Sequence, residues 1–212
     1  MKRQDPLRPI EFTWEDCLLG GGVRAQFRDP TLPLHVEIGP GEDAFLLESA
    51  ASDPAANWLG IEYSRKRIGR YVRRVERTLG QPGNLRLLWR PALDVVGPLL
   101  SPRVVSSFHI YFPDPWPKAH HARYRLLAPG FLAALCDSLR AGGRILMATD
   151  SEAYAQEIVE AAQQVERLES EYASPGYALR EAGPSSTAFE QRWRDEGRQI
   201  HALAFRRLLP KG

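Results

Sequence analysis

The chain has 212 residues, 28 Lys and Arg against 26 Asp and Glu for a formal net charge of +2, and two cysteines. That length can bury one well-formed core, and the near-balance of charge excludes a polycation, so any affinity for nucleic acid must come from clustered cations. Cys17 and Cys136 have neither metal-ligand spacing nor a partner nearby in sequence, which fits a reducing interior.

Residues 1–30 show no clear periodicity and read as an N-terminal arm of flexible character, with residues 31–212 as a single domain. The first residues lack the apolar core of a signal peptide, and no stretch approaches the length of a membrane span. The expectation is a cytoplasmic protein without membrane association. Its composition suits a monomer or a homodimer equally.

From Leu34 onward, short apolar runs alternate with longer amphipathic ones, the pattern of an α/β fold with a mostly parallel sheet and helices on both faces. Leu34–Ile38 predicts the first strand, ending at Gly39-Pro40-Gly41, with a helix from about Glu42 to Ala51. Asn57–Glu62 predicts the second strand. Ser64 is placed to cap a helix that runs to Leu79 and stops at Gly80. In that helix Ile68, Val72, Val75 and Leu79 share one apolar face. Further strands are predicted at Leu85–Trp89, Val104–Phe112 and Arg144–Ala148, and a helix over Arg123–Leu139 that Pro129-Gly130 should break or kink. A helix over Ala153–Gln164 follows. The tail reads as two antiparallel strands, around Val165–Tyr172 and Ile200–Leu208, flanking a short helix over Thr187–Gly197.

Three features carry chemistry. First, Glu37-Ile38-Gly39-Pro40-Gly41 lies between a strand and a helix, the context of a nucleotide-binding turn. Glu62 ends the next strand 23 residues after Gly39, where a carboxylate can take both ribose hydroxyls. A dinucleotide and S-adenosylmethionine (SAM) both suit such a site. The acids Glu37, Glu42 and Asp43 repel a pyrophosphate but attract an ammonium and a sulfonium, which favours SAM over an NAD-dependent oxidoreductase. Second, seven cations (Arg65, Lys66, Arg67, Arg70, Arg73, Arg74 and Arg77) stand against the single acid Glu76 on one helix. They suit a phosphate backbone or a solvated surface equally. Third, Phe112-Pro113-Asp114-Pro115-Trp116-Pro117-Lys118 follows a buried strand directly. Its prolines end the strand in a stiff loop that holds an acid, an aromatic and a cation where α/β sheets bind ligands. Lys118, His120, His121, Arg123 and Arg125 add a second basic group. His120-His121 has no further ligand at metal spacing, so no metal is expected. Asp150, after a later strand, suits a ligand position or a helix N-cap equally.

Taken together, these residues resemble the bacterial tRNA guanine-N7 methyltransferases over about Leu34 to Leu208. The resemblance rests on the glycine turn, Asn57–Glu62, Phe112–Lys118 with His121 and Arg125-Leu126, Ala148-Thr149-Asp150, and Thr187–Glu190 with Arg192 and Gly197. The proline loop is its specific element. It implies a Rossmann-like seven-stranded SAM-dependent methyltransferase sheet, SAM as cofactor, and a guanine in the tRNA variable loop as acceptor. By position, Glu37, Gly39, Gly41 and Glu62 would contact SAM, with Pro91 and Ala92 on its adenine side. Asp114 would stand at the reaction centre, with Trp116 stacking or bracing the loop. Lys118, Asp150, Thr187, Phe189 and Glu190 would hold the guanosine. The chain departs from the family pattern at Asp43 (glycine in the family), Pro91 (an acid), Ala188 (a lysine), and Ala119 and His120 (both basic). Those departures frame the alternative, a non-catalytic or substrate-shifted RNA-binding relative with weakened SAM binding.

Overall fold

The computed structural model describes residues 10–100, 102–114, 126–181 and 188–209. The chain forms two compact units, Met1–Leu100 and Ser101–Gly212. The first unit holds β1 (Glu11–Phe12), α1 (Trp14–Leu19), a 3-10 turn at Arg24–Gln26, β2 (Leu34–Ile38), α2 (Phe45–Ser52), β3 (Asn57–Glu62), α3 (Arg65–Leu79), β4 (Leu85–Trp89) and α4 (Ala92–Val95). Its strands lie in the order β1-β4-β3-β2, and every pair is parallel.

β3 is buried along its whole length and β2 almost so, as parallel strands covered on both faces require. Leu46, Leu47 and Ala50 of α2 and Ile68, Tyr71 and Val75 of α3 pack with Trp58, Leu85 and Leu87 into one core. Ser64 caps α3 through the Arg67 amide, and Gly80 ends it at φ +69°. The registers Ile38↔Ile61 and Glu62↔Trp89 bring the carboxyl ends of β2, β3 and β4 to one edge of the sheet. The glycine turn, Glu62 and Pro91 therefore share that edge.

The expected arm is corrected from Ile10 onward. β1 pairs with β4, the Ile10 carbonyl accepts the Leu87 amide at 2.8 Å, and Ile10, Phe12, Cys17, Val23 and Phe27 are buried. Buried Arg86 donates to the Gln26 carbonyl at 2.7 Å, and the Asn57 side chain donates to the Asp29 carbonyl at 2.7 Å. These bonds come from residues more than 25 positions away, so no local pattern announces them. Residues 1–9 lie outside the described residues.

The second unit holds β5 (Val105–Tyr111), α5 (Pro129–Ser138), β6 (Leu139–Thr149), α6 (Glu152–Ala162), β7 (Leu168–Ser170), β8 (Ala178–Leu179), α7 (Ala188–Asp195) and β9 (His201–Arg207). β5 and β6 are parallel, and β9 runs antiparallel between β6 and β7. β8 adds two residues against β9. Pro129-Gly130 opens α5 rather than kinking it, because a proline in the first turn loses no intrahelical bond. β6 begins at Leu139, five residues before the sequence predicts, and its pairing with β5 shifts register between Val105 and Ser107. Among the described residues, no helix is long and apolar enough to cross a membrane. None of their His, Cys, Asp and Glu side chains gather in a group of three that could hold a metal ion.

Candidate functional site

In the first unit the glycine turn closes tightly. Gly39 and Gly41 adopt φ +73° and +58°, values that burden any residue with a Cβ. The Gly39 amide donates to the Ile61 carbonyl at 2.8 Å, and the Asp43 amide to the Pro40 carbonyl at 3.1 Å. Gly60, on β3 beneath the turn, has no room for a side chain, since a Cβ there would lie 2.6 Å from Leu46 Cδ2 and 2.7 Å from Leu87 Cδ2.

Two buried carboxylates meet at this edge. Glu62 accepts the Gly41 amide at 3.2 Å through Oε2 and the Ser64 amide at 2.8 Å through Oε1, so it is oriented with lone pairs to spare. Glu37 is 3% exposed, and its Oε2 has no hydrogen-bond partner among the described residues. Burial first, then the carboxylates of Asp43 and Glu62, hold the Glu37 carboxyl well above its ordinary range. The Tyr71 hydroxyl, which accepts the Leu47 amide at 3.2 Å, is pushed up by burial and then by Glu37. A buried acid with one carboxylate oxygen unpartnered, set among other acids, is the environment a cationic ligand relieves.

The departures at Asp43 and Pro91 have plain local roles. Asp43 Oδ1 accepts the Ala44 amide at 2.7 Å at the start of α2. Pro91 precedes α4, and its carbonyl accepts the Asp94 amide at 3.0 Å, with Ala92 as the first residue of the helix. α4 places Asp94, an exposed acid that sequence reasoning missed, in its first turn. The signal available was an acid three residues beyond Pro91. The same edge carries exposed Trp89, whose indole donates to the Tyr63 carbonyl at 3.0 Å, with Arg65 over its ring at 5.1 Å.

In the second unit Asp114 is exposed just beyond the carboxyl end of β5. Phe112, two residues before it, has φ +51°. A bulky residue ahead of a proline avoids that conformation, so contacts must hold it. Its amide donates to the Ala148 carbonyl at 2.8 Å, and its ring lies 5.1 Å from Phe189 of α7. Phe189 in turn meets Trp193 edge-on at 5.0 Å. The structure therefore brings Phe189 to the Asp114 loop.

Glu190 is 1% exposed, with Oε1 facing Arg194 at 2.6 Å and Oε2 facing Arg180 at 3.2 Å. Arg180 lies over the Tyr111 ring at 5.6 Å, which ties this clamp to the end of β5. Asp150 does not cap α6. Ser151 does, accepting the Tyr154 amide at 3.2 Å, while Asp150 pairs with Arg198 at 2.6 Å. The Arg198 guanidinium also covers the Trp193 ring at 3.6 Å. Arg180, Arg194 and Arg198 were missed in the sequence; only the four-residue step from Glu190 to Arg194 was a legible signal. Lys118, Trp116 and Thr187 lie outside the described residues.

Comparison with known proteins adds identity to this geometry. A family model described as "Putative methyltransferase" matches residues 31–203. The chain is 35% identical over 177 residues to the tRNA (guanine-N(7)-)-methyltransferase of Nitrosomonas europaea, covering 84% of this chain and 77% of that one. Among solved structures it resembles the aminoglycoside resistance methyltransferase NpmB1, with a TM-score of 0.61 at 16% identity, covering 88% of this chain and 94% of that one. It also resembles a geranyl diphosphate methyltransferase solved in complex with SAM, with a TM-score of 0.55 at 17% identity over 84% of this chain and 79% of that one. The fold is thus the Rossmann-like sheet of the SAM-dependent methyltransferases.

Proposed function

The chain belongs to the tRNA (guanine-N(7)-)-methyltransferase family, and from that premise we propose that it transfers a methyl group from SAM to N7 of a guanine in the tRNA variable loop. The observation that carries this reading is the pair of buried carboxylates at the glycine turn. Glu62 is fixed by two backbone amides, and the Glu37 Oε2 lacks a partner among the described residues. A ligand with an ammonium and a sulfonium satisfies that edge, and a pyrophosphate is repelled by it. Glu37, Gly39, Gly41 and Glu62 would hold SAM, with Pro91 and Ala92 bordering its adenine side. Bound there, SAM supplies an electrophilic methyl group.

The acceptor asks little acid–base chemistry of the protein. Guanine N7 carries an unprotonated lone pair, so no base has to remove a proton before attack. The work left to the side chains is alignment, which can account for a large share of a rate enhancement. Asp114 would accept hydrogen bonds from the guanine edge, and Asp150, held by Arg198, would anchor the guanosine with Lys118 and Thr187. Phe189 offers an exposed ring for the same nucleoside. Glu190 would act as a positioning residue, holding α7 through Arg180 and Arg194. The family match runs across both units, which supports reading residues 31–212 as one catalytic domain.

The deciding experiment incubates the purified protein with labelled SAM and unmodified bulk tRNA, then digests the RNA and separates its nucleosides. Label in 7-methylguanosine is expected. Label in another nucleoside, or none, would overturn the assignment.

A further inference from the structure

We propose that the groove between α3 and the Gly41–Glu42 turn is a binding site for the phosphodiester backbone of the RNA substrate. It rests on the tRNA reading above and deepens it. Gly41, Glu42, Arg70, Tyr71, Arg74 and Arg77 line a cavity of about 200 Å³. The three arginines stand at i, i+4 and i+7 of α3, hence on one stripe of the helix. Their placement is not casual. Arg70 pairs with the Glu42 carboxylate, and Arg74 donates to the Glu42 carbonyl at 2.9 Å. Each guanidinium presents five N–H donors, so both are oriented by the turn and still have donors to offer.

Charge selects the ligand. Glu42 offsets one of the three cations, while Arg74 and Arg77 have no carboxylate partner among the described residues. Two uncompensated guanidiniums in a concave site call for an anion. The lining offers no stacking platform for a base, because its one aromatic, Tyr71, is buried in the core. The groove therefore suits backbone rather than base recognition. Extent selects a polymer over a free nucleotide. Lys66, Arg67 and Arg73 continue the cations along α3 beyond the cavity. From Arg65 to Arg77 the helix spans roughly 18 Å, the reach of several consecutive phosphates. Net charge on the whole chain is only +2, so this strip is a local concentration rather than a general excess. Because Gly41 and Glu42 continue the cofactor turn, an RNA strand gripped here is anchored to the element that holds the donor.

The test measures binding of a fluorescent, unmodified tRNA transcript by anisotropy across a salt series. It compares the wild-type protein with Arg77→Gln, with Arg74→Gln/Arg77→Gln, and with the control Arg103→Gln/Arg140→Gln, two exposed cations at the amino ends of β5 and β6. Each phosphate contact contributes close to one unit to the log Kd–log salt slope, so the slope should fall by about one for Arg77→Gln and about two for the double variant. At 0.1 M salt the double variant's Kd should rise about tenfold or more, and the KM for tRNA should rise with it. The control removes the same charge outside the groove and should move the slope by less than half as much. Among the described residues Arg70 and Arg74, not Arg77, bond to the turn, so the Arg77 single variant keeps the test valid if Arg74→Gln disturbs the turn. Unchanged slopes in both groove variants, or an equal change in the control, overturn the site. Methylation of guanine N7 with unmoved slopes sinks the groove alone. Tight tRNA binding with the expected slopes but no methylation sinks the functional reading alone.

Discussion

Glu37 separates two demands that a single side chain rarely meets together. It is buried beside other carboxylates, which weakens the ligand-free fold, and that same placement creates the field a cationic donor needs. The sign follows from its raised pKa. Above the ordinary value of 4.5, the folded protein retains a proton that the unfolded chain releases, so stability falls as pH rises through that window. Glu37→Gln removes this loss. Thermal melts of the ligand-free variant should match wild type below pH 4.5 and exceed it increasingly as the pH rises above that value, while its SAM affinity drops in calorimetry. A stability difference that does not vary with pH would rule the explanation out. Asp114 makes the opposite case. It is exposed, so Asp114→Ala should change stability by no more than about 0.5 kcal/mol. Methyl transfer should nonetheless fall roughly 100-fold or more, the scale of a misplaced acceptor. An active Asp114→Ala enzyme would remove that residue from the reaction centre.

At the scale of elements, each unit depends on one crowded point. β3 crosses beneath the cofactor turn at Gly60, where a Cβ would also lie 3.3 Å from Pro40 Cγ. Gly60→Ala should therefore cost about 1–3 kcal/mol by overpacking. It should also weaken SAM binding, because the displaced atoms include the turn itself; denaturant melts and calorimetry report the two effects separately. In the second unit, α7 is held by the Glu190 clamp. Breaking a buried pair costs about 3–5 kcal/mol, but Arg180 and Arg194 retain 20% and 19% of their side-chain exposure and can turn to water. Glu190→Gln should thus cost nearer about 2 kcal/mol, with faster hydrogen exchange in α7 amides and a raised KM for tRNA. Retained protection of α7 would show that something else anchors it. The strands and the long helix were legible because period and caps are local signals: Leu34–Ile38, Asn57–Glu62 and the Ser64-to-Gly80 span all stand where the pattern puts them. β1, α4 and β8 were not. None exceeds four residues, too short for a period, and β1 and β8 exist through pairing with strands far along the chain.

For the molecule as a whole, the same distinction governs the site. Residue types at strand ends were readable, so Glu37, Glu62, Asp114 and Asp150 could be named from the sequence. Their partners could not, because Glu62 meets Gly41 across 21 residues and Asp150 meets Arg198 across 48. Only the fold supplies those pairings: the first orients an acid at the cofactor turn, and the second fixes the acid proposed to anchor the guanosine. A buried acidic edge should bind a cationic ligand with little salt dependence, since mobile ions do not reach it. SAM at 100 times its Kd should then stabilise the protein by about 2.7 kcal/mol, a rise in melting temperature of roughly 5–10 °C for a chain of this size. That rise should survive 0.5 M salt, and NADH at the same excess should produce none, because it brings a pyrophosphate rather than an ammonium and a sulfonium to the acids Asp43 and Glu62 beside Glu37. Stabilisation by NADH but not by SAM would reverse the cofactor assignment. A SAM shift that collapses in salt would move the cofactor's charge contacts from the buried carboxylates to exposed ones.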